Sequence, residues 1–176
     1  DAHATVISAT CQAIEKNLPF AALADSLGRY LHRVPTDALN LLPMASLAQM
    51  AQIVPSLYDR IHGLHQPPAE PVATPEENRQ RLIDGIVAFL TTLSRLRPLA
   101  LFLDDLHWAD TDTLAVISRL VQRLNEHSLF LLLAYRSDDL AENEALATLL
   151  HAIKRKAGGH IGEVGRFDRP QVQRFV

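Results

Sequence analysis

The sequence has little cysteine, little glycine and no long uninterrupted apolar run. Its single cysteine, Cys11, excludes an internal disulfide and agrees with a reducing compartment. No apolar run reaches the roughly 18 residues that a membrane-spanning helix needs. The first residues lack the basic and apolar regions of a signal peptide. We therefore expect a cytoplasmic protein that does not associate with a membrane.

Strong charge of either sign is also missing. The formal net charge is −3 over 176 residues, which excludes a general electrostatic attraction to nucleic acid. The hydrophobic content of 48% is enough for a domain with a real core. Any DNA binding is therefore expected from a separate domain.

Apolar segments of strand length alternate with helical patterns. Three segments predict strands: Thr5–Ala9, Leu99–Leu103 and Leu129–Ala134; Ile161–Val164 is a weaker fourth candidate between glycines. Strands that are apolar on both faces are typical of parallel sheets covered by helices. The alternation predicts an α/β fold, a three-layer sandwich with a mostly parallel sheet and right-handed crossovers.

The proline-rich stretch 66–75 predicts an exposed loop. The residues Thr74-Pro75-Glu76-Glu77 at its end match a helix start, with threonine as N-cap, proline at the first helical position and glutamate three residues after the cap. The helix that follows must stop before Pro98.

Two acids follow the second predicted strand directly. Asp104 and Asp105 come after five apolar residues, so their carboxylates are expected at the carboxyl edge of the sheet, where ligands of open α/β sheets bind. One strand-end aspartate suits Mg²⁺, which takes few carboxylates together with water and phosphate oxygens. The alternative is that both acids only end the strand and form a turn, which aspartate favours.

Arg136 follows the third predicted strand in the same way. A guanidinium at the same edge could donate a pair of hydrogen bonds to phosphate oxygens. The alternative is an ordinary surface or ion-pairing arginine. The two strand ends support each other, because both place charge at one crevice.

The string LFLDDLHWAD, a following amphipathic helix and the string LLLAYRSDD resemble the signal-transduction ATPases with numerous domains, which are related to the AAA+ ATPases. Similar modules occur in bacterial transcription regulators of the LuxR type and of the type with a bacterial transcriptional activation domain. Others occur in some adenylate cyclases and Ser/Thr kinases. The resemblance implies an ATP-dependent signalling switch with ATP and Mg²⁺ as ligands and, with them, nucleotide-dependent oligomerisation.

The resemblance also implies roles for individual residues. Asp104 would hold Mg²⁺, Asp105 would stand at the position of the catalytic acid, and Arg136 would sense the γ-phosphate. Related ATPases often carry glutamate as the catalytic acid, so the shorter Asp105 implies weak hydrolysis. His107 and Trp108 belong to the motif without an assigned chemistry. A degenerate module that no longer hydrolyses ATP is the alternative.

One element of the resemblance is missing from the sequence. None of the seven glycines belongs to a GxxxxGK[ST] loop, the amide cradle that binds phosphates. We expect this loop to precede Asp1 in a longer protein and the chain alone to bind ATP weakly. Residues 1–165 would then be a partial ATPase core and 166–176 the start of a helical lid. In the sheet that the resemblance implies, the P-loop strand lies between Leu129–Ala134 and Ile161–Val164. Its absence would leave an empty slot between these two strands.

Three other patterns are discounted. Asp110-Thr111-Asp112-Thr113 matches the nucleophile motif of haloacid-dehalogenase phosphatases, but no strand ends directly before it, so a helix N-cap is expected. His62 and His65 lack further metal ligands at a supporting spacing. The basic run 154–156 is expected to be a solvated helix end.

Overall fold

The computed structural model describes residues 4–65, 74–156, 158–165 and 173. It contains three strands in these parts, namely β1 Thr5–Thr10, β2 Leu99–Asp104 and β3 Leu129–Leu133. Its α-helices are α1 Ala21–Arg33, α2 Thr36–Leu39, α3 Met44–Ala51, α4 Leu57–Arg60, α5 Pro75–Leu96, α6 Thr111–Arg123 and α7 Glu144–Arg155. Short 3-10 turns lie at Ala13–Glu15, Leu106–Trp108, Leu124–Glu126 and Ser137–Glu142.

The three strands form one parallel sheet in the order β1-β2-β3. The register aligns Ile7 with Leu101 and Leu101 with Leu131. The α/β class, the parallel pairing and the order of these three strands, all predicted from the sequence, are confirmed. Because the pairing is parallel, the carboxyl ends of all three strands meet at one edge.

One face of the sheet packs on the helices. The connection from β1 to β2 and the connection from β2 to β3 both lead to the next strand in the same direction. When both connections are right-handed, their helices lie on the same face of the sheet. On that face Ile7, Leu101 and Leu103 are buried. On the other face Phe130 is 62% exposed and Leu132 is 52% exposed, so the described residues leave that face uncovered.

Helix α5 begins and ends as its sequence predicts. The side chain of Thr74 accepts from the N–H of Glu77, and the Glu77 carboxylate accepts from the N–H of Thr74 at 2.7 Å. This bond lowers the pKa of Glu77. The helix ends at Leu96, ahead of Pro98. Residues 66–73 of the predicted loop lie outside the described residues, whereas Pro75 is already helical.

Helix α5 lies between α3 and α6. A Cβ atom on Gly85 would lie 2.8 Å from the Cβ of Gln49 in α3, so the two helices approach more closely than a side chain at this position allows. Toward α6, Arg79 pairs with the buried Asp112, and this hydrogen bond raises the pKa of Arg79. The long helix is thereby fixed on both sides.

The predicted fourth strand, Ile161–Val164, is wrong. Residues 158–165 contain no strand, and Val164 is 96% exposed. The segment has only two apolar side chains between glycines, and glycine weakens a strand because it packs nothing and loses much backbone entropy. The expectation of a strand across an empty slot fails with it. Of the predicted lid segment 166–176, only Gln173 lies within the described residues.

Candidate functional site

The turn after β2 and the end of β3 are joined by backbone hydrogen bonds. The N–H of Ala134 donates to the carbonyl of Leu103, and the N–H of Leu106 donates to the carbonyl of Ala134, both at 2.9 Å. The residues that follow the two strands therefore lie at the same edge of the sheet. The prediction that Asp104, Asp105 and Arg136 end neighbouring strands at one edge agrees with this geometry.

Asp104 is the last residue of β2 and is half-buried. Its Oδ1 accepts from the N–H of Asp105 at 2.9 Å, which fixes the direction of the carboxylate. Its carbonyl accepts from the N–H of Cys11 at 3.0 Å, so the residue that follows β1 also fixes its backbone. A carboxylate held this way at a strand end is of the kind that Mg²⁺ uses alongside water and phosphate oxygens.

Asp105 has a left-handed backbone conformation, with φ 52° and ψ 42°. This conformation is uncommon outside glycine, although aspartate tolerates it better than most residues. The carbonyl of Asp105 accepts from the N–H of Trp108 at 2.9 Å, which closes the 3-10 turn. The Asp105 side chain is partly exposed at the edge, and it therefore remains accessible to water.

Arg136 lies beside Asp105. Its Nε is 3.9 Å from Oδ1 of Asp105, while its side chain is 70% exposed. An ion pair with this exposure is weak, so the guanidinium is free to turn toward a stronger anionic partner. Phosphate oxygens are such a partner, because they accept two parallel hydrogen bonds from the guanidinium.

His107 is, with Trp108, one of two motif residues to which the sequence assigns no chemistry. Its side chain is fully buried, and its Nδ1 accepts from the N–H of Arg136 at 3.4 Å. In the neutral ring this bond assigns the proton to Nε2. Nε2 makes no hydrogen bond and lies 3.4 Å from Oδ2 of Asp139 and 3.9 Å from Oδ1 of Asp105. His107 therefore accepts a hydrogen bond from the backbone of Arg136 and lies beside two acids without a hydrogen bond to either.

Two further contacts support the 3-10 turn. The Asn143 side chain donates to the carbonyl of His107 at 3.3 Å and caps α7 by accepting from Leu146. The Lys16 ammonium lies 5.8 Å from the centre of the Trp108 ring, a cation–π contact. Trp108 thus packs at the same edge of the sheet, and this contact does not indicate a chemical role.

The three discounted patterns all lie within the described residues. Asp110 caps α6 by accepting from the N–H groups of Asp112 and Thr113, as expected, and does not end a strand. No group of three or more histidine, cysteine or acidic residues that could hold a metal occurs in the described parts, His62 and His65 included. Lys156, at the end of the basic run, donates to the carbonyl of Gln122.

Comparison with known families decides the affiliation of the chain. A family model described as an AAA ATPase domain matches residues 1–133, more than half of the sequence. The chain belongs to the AAA ATPase domain family. The match includes Asp104 and Asp105 and ends before Arg136. No curated protein and no solved structure matches the chain.

The AAA ATPase domain family uses a nucleotide, which in this chemistry is bound with Mg²⁺. The edge residues of this chain fit part of that requirement: Asp104 is a suitable metal ligand and Arg136 a suitable phosphate ligand. The sequence contains no amide cradle of the GxxxxGK[ST] type. The described helices include none that is long and apolar enough to cross a membrane.

Proposed function

We propose that this AAA ATPase module is part of an ATP-binding and ATP-hydrolysing signalling switch in a bacterial transcription regulator, of the signal-transduction type with numerous domains. The family match supports the ATPase part of this proposal. The string LFLDDLHWAD and the arginine after LLLAY support the more specific assignment. The regulator would be cytoplasmic, would bind DNA through a separate domain and would oligomerise in response to nucleotide.

The observation that carries the proposal is the convergence of Asp104, Asp105 and Arg136 at one sheet edge. Asp104 is fixed by the N–H of Asp105, and Arg136 lies 3.9 Å from Asp105 while remaining mostly exposed. Two acids beside an available guanidinium are the groups that phosphoryl transfer uses for metal binding, water positioning and charge neutralisation.

Each residue has a distinct task in the proposed reaction. In that reaction the γ-phosphoryl group of ATP is transferred to water, and ADP leaves with the electron pair of the broken P–O bond. Asp104 would hold Mg²⁺, which would neutralise charge on the phosphates. Asp105 orients the attacking water and accepts its proton, and Arg136 donates to oxygens of the γ-phosphate. Residues 1–165 would form most of the core of this switch and residues 166–176 the start of its lid.

The short side chain of Asp105 favours a second candidate function, an interaction module that binds nucleotide without hydrolysing it. Hydrolysis of ATP by the full-length protein separates the two, measured for the wild type, Asp105→Asn and Asp105→Glu. We expect slow Mg²⁺-dependent hydrolysis in the wild type and a loss of about a hundredfold in Asp105→Asn, because the water loses its base. The exposed Asp59 in α4 provides a control, Asp59→Asn, with unchanged activity.

Nucleotide binding without hydrolysis in the wild type would favour the interaction module. Absence of both binding and hydrolysis in the full-length protein would overturn the ATPase proposal. Equal hydrolysis by the wild type and Asp105→Asn would remove Asp105 from the catalytic role.

A further inference from the structure

Asp110 is a buried acid that joins two segments far apart in the sequence. Only 7% of the residue is exposed. Its Oδ1 accepts from the N–H groups of Asp112 at 3.0 Å and Thr113 at 2.9 Å, both in the first turn of α6, and from the N–H of Phe20 at 3.1 Å. Its Oδ2 accepts from the Thr113 hydroxyl at 2.6 Å. The bond to Phe20 goes beyond what capping α6 requires.

These bonds hold together two neighbouring segments of the sheet edge. One is the 11–20 loop, which connects β1 to α1, and the other is the 105–109 turn, which connects β2 to Asp110. The N–H of Cys11 donates to Asp104 at one end of the loop, and the N–H of Phe20 donates to Asp110 at the other end. Lys16 lies over the Trp108 ring between them. The 11–20 loop therefore bonds to the residues on both sides of the 105–109 turn and contacts the turn itself at Trp108.

Backbone strain independently marks the same two segments. Phe20 and Asp105 are the two non-glycine residues with positive φ in the described parts of the chain, at 59° and 52°. A left-handed conformation at a bulky residue such as Phe20 persists only where surrounding contacts enforce it. At Phe20 those contacts are burial of the ring and the bond to Asp110.

The 105–109 turn is anchored at two ends. Near its start, the N–H of Leu106 donates to Ala134 at the end of β3. Just beyond its last residue, Asp110 provides the bonds to α6 and to Phe20. Loss of the second anchor would let Asp105 relax from its left-handed conformation, which would move its carboxylate relative to Arg136.

We propose that Asp110 is a positioning residue for ATP hydrolysis: it fixes the 105–109 turn against the 11–20 loop so that Asp105 stays aligned with the bound phosphate. This role rests on the proposed ATPase function. Asp110 acts through Asp105 and does not itself touch the nucleotide. Its hydrogen-bond acceptors matter in this role, whereas its negative charge does not.

The experiment compares Asp110→Ala, Asp110→Asn and Thr74→Ala in the full-length protein. Asparagine keeps Oδ1 as an acceptor for the three N–H groups, whereas alanine removes every bond. Thr74→Ala removes the N-cap of α5, whose side-chain bond is to Glu77, and so controls for the loss of a helix cap. The measurements are kcat for ATP hydrolysis and the dissociation constant for ATP.

We expect Asp110→Ala to lower kcat about tenfold or more while ATP affinity changes less than about threefold, because a small misplacement of a catalytic group costs rate more than binding. Asp110→Asn is expected within about threefold of the wild-type kcat, and Thr74→Ala likewise. Asp110→Asn as slow as Asp110→Ala would mean that the charge acts, and would overturn the positioning role. Wild-type kcat in Asp110→Ala would overturn it as well.

A structural readout separates this proposal from the ATPase proposal. The only tryptophan of the sequence, Trp108, lies in the 105–109 turn. The protein labelled with 5-fluorotryptophan gives a ¹⁹F resonance for Trp108, assigned by Trp108→Phe. We expect Asp110→Ala to shift or broaden this resonance and Thr74→Ala and Asp110→Asn to leave it in place. An unchanged resonance in Asp110→Ala would refute the positioning role even if hydrolysis is absent.

Discussion

The backbone N–H of Arg136 donates a hydrogen bond of 3.4 Å to Nδ1 of the fully buried His107. The bond crosses from the end of β3 to the turn after β2, so it fixes the arginine backbone relative to Asp105. The arginine side chain itself remains mostly exposed. The backbone of Arg136 is therefore held at the sheet edge, while its guanidinium group stays free to bind an anion.

His107→Phe tests this connection. Phenylalanine fills the buried space but accepts no hydrogen bond, which leaves the Arg136 N–H unpaired. We expect the free energy of unfolding to fall by about 0.5–1.5 kcal/mol, the net contribution of one hydrogen bond, because Arg136 is an exposed residue. Chemical denaturation of the full-length protein measures this. Unchanged stability would show that the 3.4 Å contact contributes nothing.

Arg136→Ala is expected to weaken ATP binding more than ADP binding in the full-length protein. The physical reason is that ATP has the γ-phosphate to which the guanidinium would donate, and ADP does not. Titration calorimetry with both nucleotides measures the two affinities, and Arg95→Ala in the last turn of α5 is the control. Equal losses for ATP and ADP would remove Arg136 from the sensor role.

Glycine at position 85 allows the close contact of α3 and α5. Gly85→Ala would place a methyl group 2.8 Å from the Cβ of Gln49, so we expect destabilisation of about 1–3 kcal/mol. Gly28→Ala in α1 is the matched control, because its nearest neighbour is 3.9 Å away, and it should stabilise the helix by up to about 1 kcal/mol. Thermal unfolding of both variants checks this, and equal shifts in Tm would argue against the close contact.

Cys11 is expected to be chemically inert in the folded protein. Burial, followed by the charges of Asp110 and neighbouring acids, raises the pKa of its thiol to about 12. A raised pKa in the folded state stabilises the fold below the pKa of the unfolded thiol, and this stability is lost as the pH rises through the folded value. The rate of labelling by a thiol reagent should therefore be low at pH 8 and rise on unfolding.

The pH dependence of stability between about pH 9 and pH 12 checks the same point. The burial of Tyr30 raises the pKa of its phenol as well, so the relevant quantity is the difference between the wild type and Cys11→Ala. We expect the wild type to lose more stability than Cys11→Ala as the pH rises in this range. Parallel pH profiles would contradict the raised pKa.

The sequence was sufficient to predict the framework of the site. Leu99–Leu103 and Leu129–Ala134 are continuous apolar runs of strand length, a pattern that is typical of strands in a parallel sheet. The charged residues after them could therefore be placed at one edge. The cap role of Asp110 was predictable in the same way, because the signal is local.

The remaining features depend on contacts between segments that are distant in the sequence. The bond from Arg136 to His107 and the bond from Phe20 to Asp110 require the folded sheet, and no local pattern indicates them. The wrong prediction of a strand at Ile161–Val164 has the same reason, because strand formation also depends on contacts with a distant segment. Two apolar residues between glycines do not specify a strand without a neighbouring strand to pair with, and residues 158–165 form none.

Metal binding by Asp104 in the presence of ATP tests most directly whether this sheet edge is the nucleotide site. Mn²⁺ replaces Mg²⁺ in the full-length protein, and electron paramagnetic resonance measures its affinity at saturating ATP for the wild type, Asp104→Asn and the control Asp59→Asn. We expect Asp104→Asn to weaken Mn²⁺ binding about tenfold or more and to abolish hydrolysis, because the metal loses its charged ligand. Wild-type Mn²⁺ affinity and hydrolysis in Asp104→Asn would contradict the assignment of the metal site to this edge.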